Sequence, residues 1–79
     1  MPFYFFVWND ENIAHLAEHG VTPEEFEQIV CDPLSEDISR RTGRPVAFGL
    51  TDDDRRIMCV YELVDRNTVL PITAYEVDF

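Results

Sequence analysis

Four side chains have the types needed to cleave a phosphodiester that has a neighbouring 2′-hydroxyl: His19, Arg44, Arg56 and Tyr75. Metal-independent cleavage of this kind needs a base at the hydroxyl, an acid for the leaving oxygen and cations on the phosphate. His19 can serve as base and Tyr75 can donate its phenolic proton. Arg44 and Arg56 can hold the phosphate, with Arg55 and Glu62 as further actors. Each also has a plainer reading. Arg40, Arg41 and Arg44 form the basic cluster RRTGR. It can grip one phosphate beside the Thr42-Gly43 turn, or it can be a charged edge loop that stops the sheet pairing with other chains. Arg55-Arg56 follows three Asp residues and reads as their counter-charge. A strand Tyr near a terminus commonly packs its ring and wets its tip.

A second pattern, His15-Leu16-Ala17-Glu18-His19, formally matches the inverted zincin motif H-x-x-E-H. That chemistry needs two His on one helix face, a third ligand and a cleft between sizeable domains. A chain of 79 residues has little room for such a cleft. The pair is therefore read as polar residues on the outer helix face, with incidental zinc or nickel binding left open and no metal centre expected. Asp52-Asp53-Asp54 lacks the Gly and distal Glu of a calcium loop and reads as a hairpin tip. Cys31 and Cys59 are too few and too far apart for a disulfide framework or a metal knot, and read as small buried thiols. The three Gly are isolated, so no phosphate-cradling loop and no small-molecule cofactor are expected.

These residues must be positioned by one domain. A chain this short buries only about 60% of its unfolded surface, so its core is small. Hydrophobic content of 46% and aromatic content of 13% nonetheless place it among folded proteins. Sixteen acidic residues against six Arg and no Lys give a net charge of −10. Such a field repels phosphate backbones and disfavours generic nucleic-acid binding; it reads first as a solvated acidic surface that favours solubility, and otherwise suits a basic partner. The apolar opening PFYFFVW is too short to span a bilayer, and no signal peptide is visible, so a cytoplasmic setting is expected.

The stretch Trp8 to Pro33 specifies two short helices. Asn9 can cap the first, with Asp10 and Glu11 in its positive first turn. Gly20 stands where a left-handed residue ends it. Thr22 caps the second, Pro23 takes its first position and Glu25 closes a capping box. Trp8 with Ile13, and Val21 with Phe26, occupy hydrophobic-staple positions. The helices are expected over Asp10 to His19, with Ile13, Leu16 and Ala17 facing the sheet, and over Pro23 to Cys31, with Phe26, Ile29 and Val30 inward.

Strands are expected at Phe3 to Trp8 (buried), a short edge at Ile38, Val46 to Thr51, Ile57 to Val64, and Thr68 to Val77. Pro71 requires the last strand to lie at an edge or carry a bulge. The order predicts an α+β domain: an N-terminal strand, then two short helices packed on one face of an antiparallel sheet of three to five strands.

This layout resembles the BrnT toxins of type II toxin–antitoxin systems. The likeness rests on Trp8-Asn9-Asp10-Glu11-Asn12, on His19-Gly20-Val21-Thr22-Pro23-Glu24-Glu25 and on Asp32-Pro33. It continues through Gly49-Leu50-Thr51, Val60-Tyr61-Glu62 and Ile72-Thr73-Ala74. The resemblance implies a RelE-like fold, ribonuclease activity and neutralisation by an antitoxin that also binds DNA. Members usually follow the Ile-Thr-Ala strand with Arg and a basic tail. Here Ala74 leads into Tyr75-Glu76-Val77-Asp78-Phe79. Two expectations follow: a BrnT-like ribonuclease, weak or inactive, held by an antitoxin; or a non-catalytic acidic interaction module on the same scaffold. The partners expected are a small antitoxin or other basic protein, RNA if the chain is active, or a second copy of the chain.

Overall fold

The computed structural model describes residues 4–78. Its elements are β1 (Phe5–Phe6), α1 (Asp10–Glu18), α2 (Pro23–Cys31), β2 (Ser35–Ile38), β3 (Pro45–Leu50), β4 (Arg56–Asp65) and β5 (Thr68–Glu76). The strands form one sheet in the order β1-β5-β4-β3-β2. Strands β2 to β5 pair antiparallel, and β1 joins β5 in parallel through Phe5 and Phe6. The domain is α+β, as its element order predicts, with the two helices against one open sheet.

Local signals set both helix starts. The Asn9 side chain accepts the Asn12 amide at 2.8 Å and the Asn12 side chain accepts the Asn9 amide at 2.9 Å. Thr22 and Glu25 make the same reciprocal box on α2, at 3.1 and 3.0 Å. Each box satisfies two amides that the helix leaves orphaned. Gly20 ends the α1 turn at φ +73°, where a Cβ costs energy in an L-residue. His19 is the C-cap, so α1 stops one residue earlier than expected.

The core joins Leu16, Val21, Phe26, Ile29 and Val30 to Ala47, Ile57, Cys59, Tyr61, Val69 and Ala74 of the sheet, with Tyr4, Phe6 and Trp8 packed on its margin. Trp8 meets the Phe26 ring edge-on at 5.6 Å and donates its indole N–H to Glu27 at 2.6 Å. Burying a side chain such as Phe26 is worth ~2–3 kcal/mol.

Two expectations are corrected. First, α1 does not turn Ile13 and Ala17 inward. Ile13 is 37% exposed, and the buried residues of this helix are Asn12 and Leu16. The capping box is the cause: it commits Asn12, whose amide also donates to the Val7 carbonyl at 2.9 Å, and this rotates the helix about one residue from its purely apolar orientation. Second, the N-terminal strand is a two-residue edge piece with Phe5 63% exposed, not a buried strand; its expected start, Phe3, lies outside the described residues. Only its even-numbered residues face the core. Strand β3 presents its small residues to the helices. The register sets Ala47 and Gly49 beside Cys59 and Ile57 on the helix face, which leaves Val46, Phe48 and Leu50 on the other side. Small residues let α2 approach closely: a Cβ on Gly49 would stand 2.9 Å from Ile29 Cγ2.

The demand made by Pro71 is met twice. Among the described residues no strand pairs with the outer side of β5 beyond Val69, and the register shifts between Val60–Thr73 and Tyr61–Pro71, which makes Ile72 a bulge. The other edge, β2, is blunted. Asp37 Oδ1 accepts the Ile38 amide at 2.8 Å, and an exposed edge strand blocked in this way is a poor template for another chain.

Candidate functional site

The helix-free sheet face and the last turn of α1 meet at the end of β5. Ala74 points to the core, so alternation turns Thr73 and Tyr75 the other way. The α1 terminus overhangs this bank. His15 Nε2 lies 3.0 Å from Thr73 Oγ1. The His19 ring centre is 6.2 Å from that of Tyr75 and 5.5 Å from that of His15. Glu18 Oε2 is 3.7 Å from His15 Nδ1. The histidines are therefore not on the outer helix face. The rotation that buries Asn12 carries them round to β5, because at about 100° per residue positions 12, 15, 16 and 19 share one half of the helix.

Behind Tyr75 the helix-free face dips into a hollow of about 370 Å³, bordered by Asp37, Arg40, Val46, Phe48, Met58 and Tyr75 among others. One row runs across it through Tyr75, Met58 and Phe48; the next runs through Thr73, Val60 and Val46. Arg56 leads this face at the start of β4, and its carbonyl accepts the Val77 amide at 2.8 Å, next to Tyr75. The arrangement is an apolar floor bordered by Tyr75 and Arg40, with the His19 ring beyond Tyr75.

Of the four proposed catalytic side chains, His19, Tyr75 and Arg56 come to one end of the sheet. Arg44 does not. It precedes β3, six residues from Leu50, which pairs with Arg56, and at about 3.3 Å per strand residue this separates the two by about 20 Å. The two Arg cannot hold one phosphate. The RRTGR segment closes as a hairpin loop, with Gly43 at φ +74° and the Gly43 amide donating to the Ser39 carbonyl at 2.8 Å. Arg44 Nε is buried there without a hydrogen-bond partner.

Arg55 does more than offset neighbouring charge. Its guanidinium donates to the Gly20 carbonyl at 2.7 Å, to Glu25 Oε2 at 3.0 Å and to both Asp53 oxygens at 3.1 Å. It thereby ties the α1–α2 turn, the start of α2 and the β3–β4 hairpin together. The Thr51 hydroxyl donates to Asp53 as well. The Thr51 hydroxyl first, and Arg55 second, hold the Asp53 carboxyl below its ordinary range. Arg55 is thus committed to structure and is not available to a substrate. Cys59, buried under the helices, has its thiol pushed up to about 12 by loss of solvation, and burial raises Cys31 too.

Sequence reasoning missed the hollow and Thr73. The hollow did have a signal: both faces of β4 read apolar at positions 57 to 61, and β3 alternates large with small apolar residues, so the sheet has more apolar surface than two short helices can cover. Thr73 had none, since its partner His15 is 58 residues away. Among the described residues no three His, Cys, Asp or Glu side chains converge as a metal centre, and no helix is long and apolar enough to cross a membrane. No protein-family model, no curated protein and no solved structure matches this chain.

Proposed function

We propose that this chain is an acidic protein-binding module on a BrnT-like toxin scaffold, and that the uncovered face of its sheet receives a small basic partner of the antitoxin kind. The observation that supports this reading is the hollow edged by half-buried Phe48 and Met58 above buried Val46 and Val60. Apolar side chains gathered on a sheet face without a covering layer favour association. The net charge of −10 selects the partner: it attracts a basic chain and opposes pairing with a second copy. The test is co-expression with the product of the neighbouring reading frame, followed by size exclusion. Phe48→Asp should abolish the complex while far-UV circular dichroism stays unchanged. A complex that survives Phe48→Asp and Met58→Asp removes the hollow from the interface.

A second reading has its own support. His19 beside Tyr75, with Arg56 on the same bank, offers a base, an acid and a cation for metal-independent RNA cleavage. The decisive assay is incubation of purified protein with RNA at catalytic concentrations. Cleavage lost in His19→Ala, Tyr75→Phe and Arg56→Ala, but kept in Arg44→Ala, makes the chain a ribonuclease. Absence of cleavage leaves the binding module.

A further inference from the structure

We propose that the last turn of α1 binds one borderline transition-metal ion, such as Zn²⁺ or Ni²⁺, through the imidazoles of His15 and His19. The pair is spaced i, i+4, one above the other on the helix. Two imidazoles on one tetrahedral ion, with metal–nitrogen bonds of about 2.1 Å, have ring centres about 5.4 Å apart. Those of His15 and His19 are 5.5 Å apart. The ring centres already stand at the separation a chelate requires, and turning the rings would bring the donor nitrogens together.

The second observation is how His15 is held. Thr73 Oγ1 lies 3.0 Å from Nε2; in the tautomer with its proton on Nε2, the ring donates to Thr73 and keeps the Nδ1 lone pair for a metal. Partners on the far nitrogen orient metal-ligating histidines in just this manner. Nδ1 looks toward Glu18 Oε2 at 3.7 Å. Two donors on one tetrahedral ion stand about 3.4 Å apart, so the carboxylate needs only a small movement to assist. The electrostatics agree. The turn is the negative end of the helix dipole, and the chain has a net charge of −10 without a single Lys. The site is open: His15 is 46% exposed, and it borders a groove of about 550 Å³ with Asn9, Glu11 and Pro71. With fewer than three protein donors converged, the ion keeps water in its remaining positions. Imidazole donors favour Zn²⁺, Ni²⁺ and Cu²⁺ over Mg²⁺.

The inference does not depend on the partner or on RNA, and its readouts are binding heat and melting temperature. Zn²⁺ and Ni²⁺ are titrated separately into the full chain by calorimetry in a non-coordinating buffer, with Mg²⁺ as control. One ion per chain is expected, with a rise in Tm, because a ligand bound only to the native state stabilises it. His15→Ala and His19→Ala should each weaken binding about tenfold or more, since the chelate is reduced to a single donor. The double variant should lose both the heat and the Tm shift. Thr73→Val should weaken binding less, by freeing the ring. Absence of binding to the native chain overturns the proposal. So does one-to-one binding that survives in the folded double variant, which would move the ion to Cys31 or to carboxylates elsewhere.

Discussion

Gly49 offers the sharpest test of which sheet face is open, and Gly49→Ala is the perturbation. Built on this backbone, the new Cβ meets Ile29 Cγ2 at 2.9 Å, Cγ1 at 3.0 Å and Cβ at 3.3 Å. Carbon atoms prefer about 3.5–4.0 Å. Ile29 is branched at Cβ, sits on a helix and is 3% exposed, so it has no free rotamer to retreat into. Overpacking of this kind costs ~1–3 kcal/mol. Against it stands ~0.4–1 kcal/mol gained by restricting the unfolded chain when Gly becomes Ala. The net expectation is a loss of about 1–2 kcal/mol, which lowers Tm by about 5–15 °C in a domain of this size. Urea denaturation supplies the free energies for a double-mutant cycle with Ile29→Ala. Alone, Ile29→Ala costs ~2–5 kcal/mol through its cavity. In the Ile29→Ala background the methyl at position 49 has space, so Gly49→Ala becomes neutral or favourable and the cycle shows a coupling of ~1 kcal/mol or more. A Gly49→Ala protein as stable as the parent, or strict additivity with Ile29→Ala, would show that α2 does not lie on Gly49. Phe48 and Leu50 would then lose their assignment to the uncovered face, and the binding proposal would fall with it.

Asp37→Ala releases the Ile38 amide at the outer edge of β2; self-association should rise, read by multi-angle light scattering, and an unchanged monomer at high concentration would refute the blocking role. The Asp53 carboxyl is held low in the folded chain, so its contribution is present above the unfolded Asp range, near ~3.9, and is lost as pH falls through the folded value. Asp53→Asn should therefore flatten the acid limb of the stability–pH curve below about pH 4 and leave the basic limb unchanged; an identical acid limb counts against the Thr51–Asp53–Arg55 network. A thiolate is the reactive form, and Cys59 has its thiol raised to about 12 while lying fully buried. Iodoacetamide at pH 8 should label half-buried Cys31 first and reach Cys59 only on unfolding, as peptide mass mapping would show; equal rates in the native protein would contradict the packing.

Sequence by itself determined the local structure, because the decisive interactions there span three or four residues. Asn9, Gly20, Thr22, Pro23 and Glu25 state where the helices begin and end, and α2 runs over Pro23–Cys31 as its caps require. Pro71 announced an edge or a bulge, since a residue without an amide cannot continue a regular ladder. Period-two alternation identified β3 and β4. What tertiary structure alone decided is which face of each element points inward. Spacing favoured Ile13 for the inner side of α1, but the Asn12 side chain, which accepts the Asn9 amide and donates to the Val7 carbonyl, took that place. The same rotation moved His15 and His19 round to the β5 side, still exposed, where residues 58 apart in the chain touch. On β3 both faces are apolar, and only close packing against Ile29 turns the small residues toward the helix and leaves Phe48 in the hollow. Arg44 and Arg56 carry the same charge in the sequence, and the β3–β4 register alone sets them at opposite ends of the sheet. Caps and turns are short-range and legible in one dimension, whereas orientation and convergence depend on packing between distant segments.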